Sequence, residues 1–192
     1  MKRCYAPVFA SVALDDHAGI YLTNDTTRTI AGSVEVSLFH LVKNVRTRQM
    51  ELPFTIEPDA TARLCTLDEW GQIRKEQIVC VRVWDKRRTL LVETIQPLDI
   101  ERRLPYPQQV GLSMIASADT DTLLLRCEHY ARCVSLYGDG FDPLFDDNFF
   151  DLLPGETKCI RVLPSPSSGI IYAETAYDQT VVSCQWKKEK EK

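Results

Sequence analysis

Carboxylates are the most abundant groups in this sequence that could take part in catalysis. The chain has 27 Asp and Glu residues against 23 Lys and Arg, which gives a formal net charge of −4. A pair of carboxylates can cleave a glycosidic bond when one serves as the acid and the other as the nucleophile or base, at a set separation across a cleft. Spacing in the sequence singles out no such pair.

Other catalytic and metal-binding patterns are absent. The sequence has no G-x-G-x-x-G, phosphate-binding loop, G-x-S-x-G or H-E-x-x-H motif. The acidic stretch from Asp139 to Asp151 lacks the spacing of a calcium-binding loop, so turn and cap roles are favoured there. The histidines are scattered, at His17, His40 and His129. We therefore expect no catalytic residue, no cofactor and no metal site in this chain.

The cysteines point to buried thiols. Their number is seven, which is odd, and no two have the C-x-x-C spacing of many zinc sites. Most lie in apolar runs, where a free cysteine behaves as a small hydrophobic residue. We expect no disulfide among Cys4, Cys65, Cys80, Cys127, Cys133, Cys159 and Cys184.

Tryptophans offer a different chemistry, because a flat aromatic face can stack on a sugar ring. Trp70 lies in a predicted loop, and Trp84 ends a predicted strand whose alternation points it outward beside Arg82. Either could form part of a carbohydrate platform. The competing interpretation is that these side chains cover a sheet end or a seam between domains.

Composition limits the class of protein. The chain has 192 residues, of which 44% are hydrophobic and 26% charged, as is typical of a globular protein. The acidic balance argues against nucleic acid as a partner. No apolar run is long enough for a membrane-spanning helix, and Tyr5-Ala6-Pro7 interrupts the N-terminal segment in a way that disfavours a signal peptide.

The sequence predicts that β-strands form most of the fold and would position any functional residues. Apolar residues alternate with polar ones in at least five segments, as at Val79, Val81 and Val83, and turn residues separate these segments. The proline-rich stretch 97–107 is expected to be an ordered, extended linker. We therefore predict an all-β fold of two tandem immunoglobulin-like β-sandwich domains, residues 1–100 and 101–192, each near the usual size of about 100 residues.

The segment DNFFDLLPGE, residues 147–156, is unusual because two phenylalanines adjoin a turn. Pro154 and Gly155 suit the central positions of a type II turn, where glycine supplies a positive φ. Asp147 and Asn148 suit a bend stabilised by side chains, and asparagine tolerates the left-handed conformation. Adjacent residues of an extended segment face opposite ways, so Phe149 and Phe150 should have one ring in the core and one outside. The alternative is a folded-over loop in which both pack.

This segment also resembles a known family. DNFFDLLPGE, followed by an alternating strand, is similar to the C-terminal immunoglobulin-like domain of the β-mannosidases of glycoside hydrolase family 2 and of related exo-β-glucosaminidases. Asp146 stands where the family commonly has Ser. KRCYAPVFAS, residues 2–11, resembles the segment that follows the catalytic barrel, with Cys4 in place of an aromatic residue. The resemblance extends from residue 2 to about residue 186.

The resemblance implies a non-catalytic role. The two catalytic glutamates of the family lie on a (β/α)₈ barrel that precedes the segment matching residue 2, so none is expected in this chain. The implied chain is a piece of a larger hydrolase of terminal β-mannosides, and its partner is the catalytic barrel. The alternative is a carbohydrate-binding module that binds mannose-containing glycans on its own.

Overall fold

The structure is a computed structural model, and it describes residues 6–14, 19–67, 70, 76–117, 120–163, 168–178 and 180–187. The predictions for Cys4 and His17 fall outside these residues, as do residues 2–5 of the segment 2–11 that resembles the post-barrel segment and the charged ending 188–192. The chain divides into two compact units, Met1–Pro105 and Tyr106–Lys192.

The described part of the first unit contains seven strands in two antiparallel sheets. One sheet has the order β1-β2-β5 and the other β4-β3-β6-β7. The strands are β1 Val8–Ala13, β2 Gly19–Asn24, β3 Ile30–His40, β4 Val45–Ile56, β5 Ala60–Thr66, β6 Gln77–Asp85 and β7 Leu90–Pro97.

Alternating apolar residues join the two sheets of the first unit. Val34 and Val36 on β3 and Val79 and Val81 on β6 are buried in one cluster with Leu22 on β2. The apolar set of these strands thus faces the core, as the period of two predicts, although Ser37 on β3 and Cys80 on β6, which belong to the opposite set, are buried as well. The core of this unit is almost entirely aliphatic.

The second unit contains the other eight described strands, again in two antiparallel sheets. Their orders are β12-β10-β14-β15 and β11-β13-β9-β8. The strands are β8 Ser113–Ser117, β9 Thr122–Arg126, β10 Ala131–Asp139, β11 Leu144–Phe145, β12 Phe150–Leu152, β13 Lys158–Leu163, β14 Ser168–Glu174 and β15 Val182–Lys187.

Large aromatic side chains fill much of the second core. Trp186 and Phe150 are fully buried there, together with Leu123 and Leu125 on β9 and Ile160 on β13. No α-helix occurs in the described parts of the chain. The all-β prediction is therefore confirmed, and none of the described residues forms a helix long and apolar enough to cross a membrane.

The stretch 97–107 differs from the predicted extended linker. Pro97 is the last residue of β7, and a short 3₁₀ helix follows at Glu101–Arg103. Backbone hydrogen bonds close this turn, with Leu104 N–H donating to the Glu101 carbonyl at 3.1 Å. Leu104 is itself buried. The three prolines thus flank a local turn instead of keeping the whole stretch extended.

Candidate functional site

Asn148 takes the place of a strand residue beside β10. Its side-chain oxygen accepts a hydrogen bond from the Leu136 N–H at 2.8 Å, and its side-chain nitrogen donates to the Leu136 carbonyl at 2.9 Å. The side chain therefore pairs with both backbone groups of Leu136, as a neighbouring strand would. The Asn148 N–H donates to the Asp147 carboxylate at 3.0 Å, so the predicted side-chain-stabilised bend is present.

Phe149 and Phe150 lie on opposite sides of the chain. Phe150 is fully buried in the second core, whereas Phe149 is 65% exposed. The prediction of one inward and one outward ring is confirmed, but Phe149 does not have the extended conformation on which the prediction was based. The left-handed residue is Phe149, with φ of 57°, and not the neighbouring asparagine. A bulky residue rarely adopts this conformation, because its Cβ crowds the backbone.

Asp151 is the centre of a buried polar network. One carboxylate oxygen accepts hydrogen bonds from the Tyr130 hydroxyl at 2.9 Å and from the Arg132 guanidinium at 2.5 Å. The other oxygen accepts from the Cys133 N–H at 2.8 Å. Cys133 has a positive φ and lies in a register shift of β10 between Ala131 and Val134. The carboxylate therefore stabilises an irregularity in the strand.

Burial changes the acid–base behaviour around this network. Burial of Tyr130 raises its pKa well above the ordinary value, and the neighbouring Asp151 charge raises it further. The Tyr130 hydroxyl is consequently a donor to Asp151 at any pH near neutrality. This arrangement suits structural support, since the phenol holds its proton and the carboxylate is occupied by three donors.

The turn at Pro154 and Gly155 has the predicted form. Gly155 has φ of 77°, and the Glu156 N–H donates to the Leu153 carbonyl at 3.3 Å. Beside the turn, the Cys127 thiol contacts the Leu152 carbonyl oxygen at 3.4 Å. Burial raises the pKa of Cys127 to about 12, so it is a poor nucleophile. Among the described cysteines, no pair forms a disulfide.

Asp147 completes the segment through contacts with β13. Its carboxylate lies 3.1 Å from the Lys158 ammonium. That ammonium also lies 5.2 Å from the ring centroid of Phe150. The polar residues of the segment therefore make contacts within the second unit, and the exposed apolar group is the Phe149 ring.

The tryptophans proposed for sugar stacking belong to the first unit. Trp70 is partly buried and packs against the aliphatic core. Trp84 is also partly buried, and the Arg88 guanidinium lies over its ring at 5.8 Å from the centroid. Arg88 is held in turn by Ser33 and Glu51. Both rings thus have close protein neighbours, and neither is presented as an open flat platform.

Metal and histidine chemistry find no support among the described residues. No group of three or more His, Cys, Asp or Glu side chains there is arranged to hold a metal ion. His40 is buried, and its Nε2 lies 3.4 Å from the Glu76 carboxylate. The acidic residues Asp146, Asp147 and Asp151 each contact a basic side chain of β10 or β13.

Sequence reasoning missed a tyrosine stack and a cavity beside it. The rings of Tyr106 and Tyr177 stack with centroids 4.3 Å apart, and the centroid of the Tyr130 ring lies 6.1 Å from that of Tyr106. A cavity of about 690 Å³ is lined by Gln108, Gln109, Tyr177, Asp178 and Thr180. Since these residues come from two distant parts of the sequence, no local spacing marks them.

Comparisons with known proteins agree with the fold. A family model of mannosidase Ig-fold domains (Ig_mannosidase) matches residues 106–175. No curated protein matches the sequence. The β-D-mannosidase of Dictyoglomus thermophilum superposes with a TM-score of 0.72 at 18% identity, over 94% of this chain and 23% of that chain.

The exo-chitosanase of Amycolatopsis orientalis gives a TM-score of 0.66 at 12% identity, over 95% of this chain and 27% of that chain. Its complex with PNP-β-D-glucosamine gives 0.67 at 13% identity, with the same coverage. This chain therefore spans about a quarter of each of these proteins, and identities this low establish the fold alone. The predicted resemblance is thus confirmed as a likeness in fold to parts of these glycoside hydrolases, and residues 106–175 match the family model of mannosidase Ig-fold domains.

Proposed function

We propose that this chain is the non-catalytic accessory region of a β-mannosidase-like glycoside hydrolase. In this proposal it supports a separate (β/α)₈ barrel that cleaves terminal β-mannosides. The proposal rests on how much of each protein is matched. The match includes 94% of this chain but only 23% of the D. thermophilum β-D-mannosidase. The remaining three quarters of such an enzyme would hold the catalytic machinery.

The geometry around residues 147–155 supports a structural role. Asn148 and Asp151 use their side-chain oxygens and nitrogens on the backbone and side chains of β10. Buried polar groups that are hydrogen-bonded in this way stabilise the local fold. We propose that Asp147, Pro154 and Gly155 complete this rigid support.

Phe149 is the residue of this segment that we propose contacts the barrel. Its ring is mostly exposed, while the two residues beside it are anchored to β10 and to the core. A large apolar side chain on a rigid base suits docking, because little conformational entropy is lost when it binds. The two tandem domains, residues 1–100 and 101–192, would together form the accessory region.

Mannosides are the favoured substrate class of the proposed parent enzyme. The family model is that of mannosidases, and the β-D-mannosidase superposes with a higher TM-score and identity than the exo-chitosanase. A β-glucosaminide-cleaving barrel is the second candidate, since the exo-chitosanase matches nearly the same share of this chain.

The coding sequence upstream of Lys2 tests the proposal. We expect an open reading frame that continues upstream and encodes a (β/α)₈ barrel with two catalytic glutamates. That barrel, produced separately, should form a complex with this chain in size-exclusion chromatography. Phe149→Ala should weaken the complex, whereas Tyr137→Ala, which removes another exposed ring of the second unit, should not. An upstream stop codon, or a different upstream domain, would contradict the proposal.

A further inference from the structure

The cavity of the second unit has the size of a small-molecule site, and its lining is mostly polar. Its volume of about 690 Å³ lies within the usual range of ligand sites, which is about 300–1,000 Å³. One of its walls is the Tyr177 side chain, which is 44% exposed. Gln108, Gln109 and Thr180 supply amide and hydroxyl groups to the lining.

A tyrosine stack connects this wall to the core. Tyr177 packs on Tyr106 with their ring planes 9° apart, and Tyr106 in turn neighbours Tyr130 with an interplanar angle of 24°. Tyr130 is fully buried and donates its hydroxyl proton to Asp151. The DNFFDLLPGE segment is therefore connected, through Asp151 and Tyr130, to the exposed ring of Tyr177 and helps to position it.

Asp178 fixes the two loops that line the cavity. One of its carboxylate oxygens accepts a hydrogen bond from the Val110 N–H at 2.9 Å, and the other accepts from the Thr180 N–H at 2.8 Å. Its own N–H donates to the Thr175 hydroxyl at 3.2 Å. The loop with Gln108 and Gln109 is thereby tied to the loop with Tyr177, so the lining is preorganised and a ligand would lose little affinity in ordering it.

The glutamines supply uncommitted hydrogen-bonding groups. Both are exposed, and neither side chain forms a hydrogen bond with the described part of the chain. Each carboxamide offers two N–H donors and one acceptor oxygen. None of the five described lining residues is Lys, Arg or His, so none of them supplies a cation to attract a phosphate or carboxylate ligand.

We propose that this cavity is a saccharide-binding subsite that takes a neutral pyranose. A pyranose has one comparatively apolar face, which stacks on Tyr177, and peripheral hydroxyl groups, which pair with Gln108, Gln109 and Thr180. The aromatic wall together with the carboxamides fits this chemistry better than it fits an apolar or anionic ligand. The subsite is independent of the proposed function, because binding by this chain requires no barrel.

Nuclear magnetic resonance titration of the whole 192-residue chain with β-1,4-mannobiose and with cellobiose tests the inference. Saturable shifts of the backbone amides of Gln108, Gln109 and Thr180 are expected with at least one disaccharide. Tyr177→Ala should weaken binding about tenfold or more, whereas Tyr177→Phe should keep most of it, because the ring remains. Gln109→Ala should weaken binding without loss of the stacked rings.

Tyr137→Ala is the matched control. Tyr137 is 41% exposed and also stacks on a tyrosine, Tyr172, at 5.3 Å between centroids, but it does not line the cavity. Its replacement should leave the affinity unchanged, and the thermal midpoint of each variant shows that it is folded. Equal losses from Tyr137→Ala and Tyr177→Ala would overturn the inference. It would also be overturned if the amide signals of the cavity residues did not shift with either sugar and shifted only when a protein partner was added.

Discussion

In the first unit Asn24 stabilises a turn, whereas in the second unit Asp151 and three tyrosines form a connected system. Asn24 is fully buried at the end of β2, and its side chain donates to the carbonyls of Arg28 and Glu57 at 2.8 and 2.9 Å. Its oxygen accepts from the Thr26 hydroxyl at 2.7 Å. These partners lie in the turn after β2 and directly after the end of β4.

The polar network of the second unit instead reaches the surface. It begins at Asp151, passes through Tyr130 and Tyr106, and ends at the exposed Tyr177 beside the cavity. Two β-sandwiches can therefore use buried polar groups for different purposes. In the first unit such a group closes a turn, and in the second it also positions a surface ring.

We expect the largest difference in stability between variants of the two adjacent phenylalanines. Phe150→Ala should lower the free energy of unfolding of the second unit by about 3–5 kcal/mol, as deletion of a buried aromatic ring does. Phe149→Ala should change it by less than about 0.5 kcal/mol, because the ring is mostly exposed. Chemical denaturation of both variants gives these values. Equal, large losses would show that both rings pack within the fold.

Removal of the Asp151 charge should have the next largest effect. Asp151→Asn should destabilise the second unit by about 2–3 kcal/mol, since it leaves the buried Tyr130 hydroxyl and the Arg132 guanidinium poorly paired. Asp142→Asn replaces an exposed carboxylate of the same unit and serves as the control. If the two variants are equally stable by denaturant titration, the network does not support the fold.

The two asparagines provide a direct comparison between the units. Asn24→Ala and Asn148→Ala should each cost about 1–2 kcal/mol, because each leaves backbone groups without their side-chain partners. The loss from Asn24→Ala should appear in the unfolding of the first unit, and that from Asn148→Ala in the second. Hydrogen exchange resolved by residue distinguishes the two. A loss of stability that is spread evenly over both units would contradict the prediction that each asparagine stabilises its own unit.

A smaller effect concerns pH. Burial raises the pKa of Asp178, but the hydrogen bonds from Val110 and Thr180 lower it more, so its net value lies below the ordinary 3.8. The unfolded chain therefore binds this proton more readily, and the stabilisation is present above pH 3.8 and lost as the pH falls through the lower folded value. Asp178→Asn should flatten the acid limb of the stability curve. If the decrease in stability at acid pH is the same in this variant, other carboxylates control that decrease.

Local patterns in the sequence predicted much of the fold. Alternation identified the buried faces of β3, β6, β9 and β13, and the Pro154-Gly155 pair identified its turn. Alternation also predicted that one of Phe149 and Phe150 would be buried. These features depend on residues close in sequence, where side-chain direction and turn chemistry act directly.

The rest depends on contacts between distant residues. The left-handed conformation of Phe149 follows from the pairing of Asn148 with Leu136, which the intrinsic preference of phenylalanine opposes. The stack of Tyr106, Tyr130 and Tyr177 forms only when three separate segments meet. The fold determines these juxtapositions, so no local motif could have indicated them.

An assay of hydrolysis by the purified chain tests the non-catalytic role of this chain. The chain, incubated with an aryl β-mannoside or an aryl β-glucosaminide, should release aglycone no faster than buffer alone. The D. thermophilum β-D-mannosidase serves as the positive control on the mannoside. A rate that follows the chain through every purification step, and disappears when one specific Asp or Glu is replaced, would contradict the non-catalytic role.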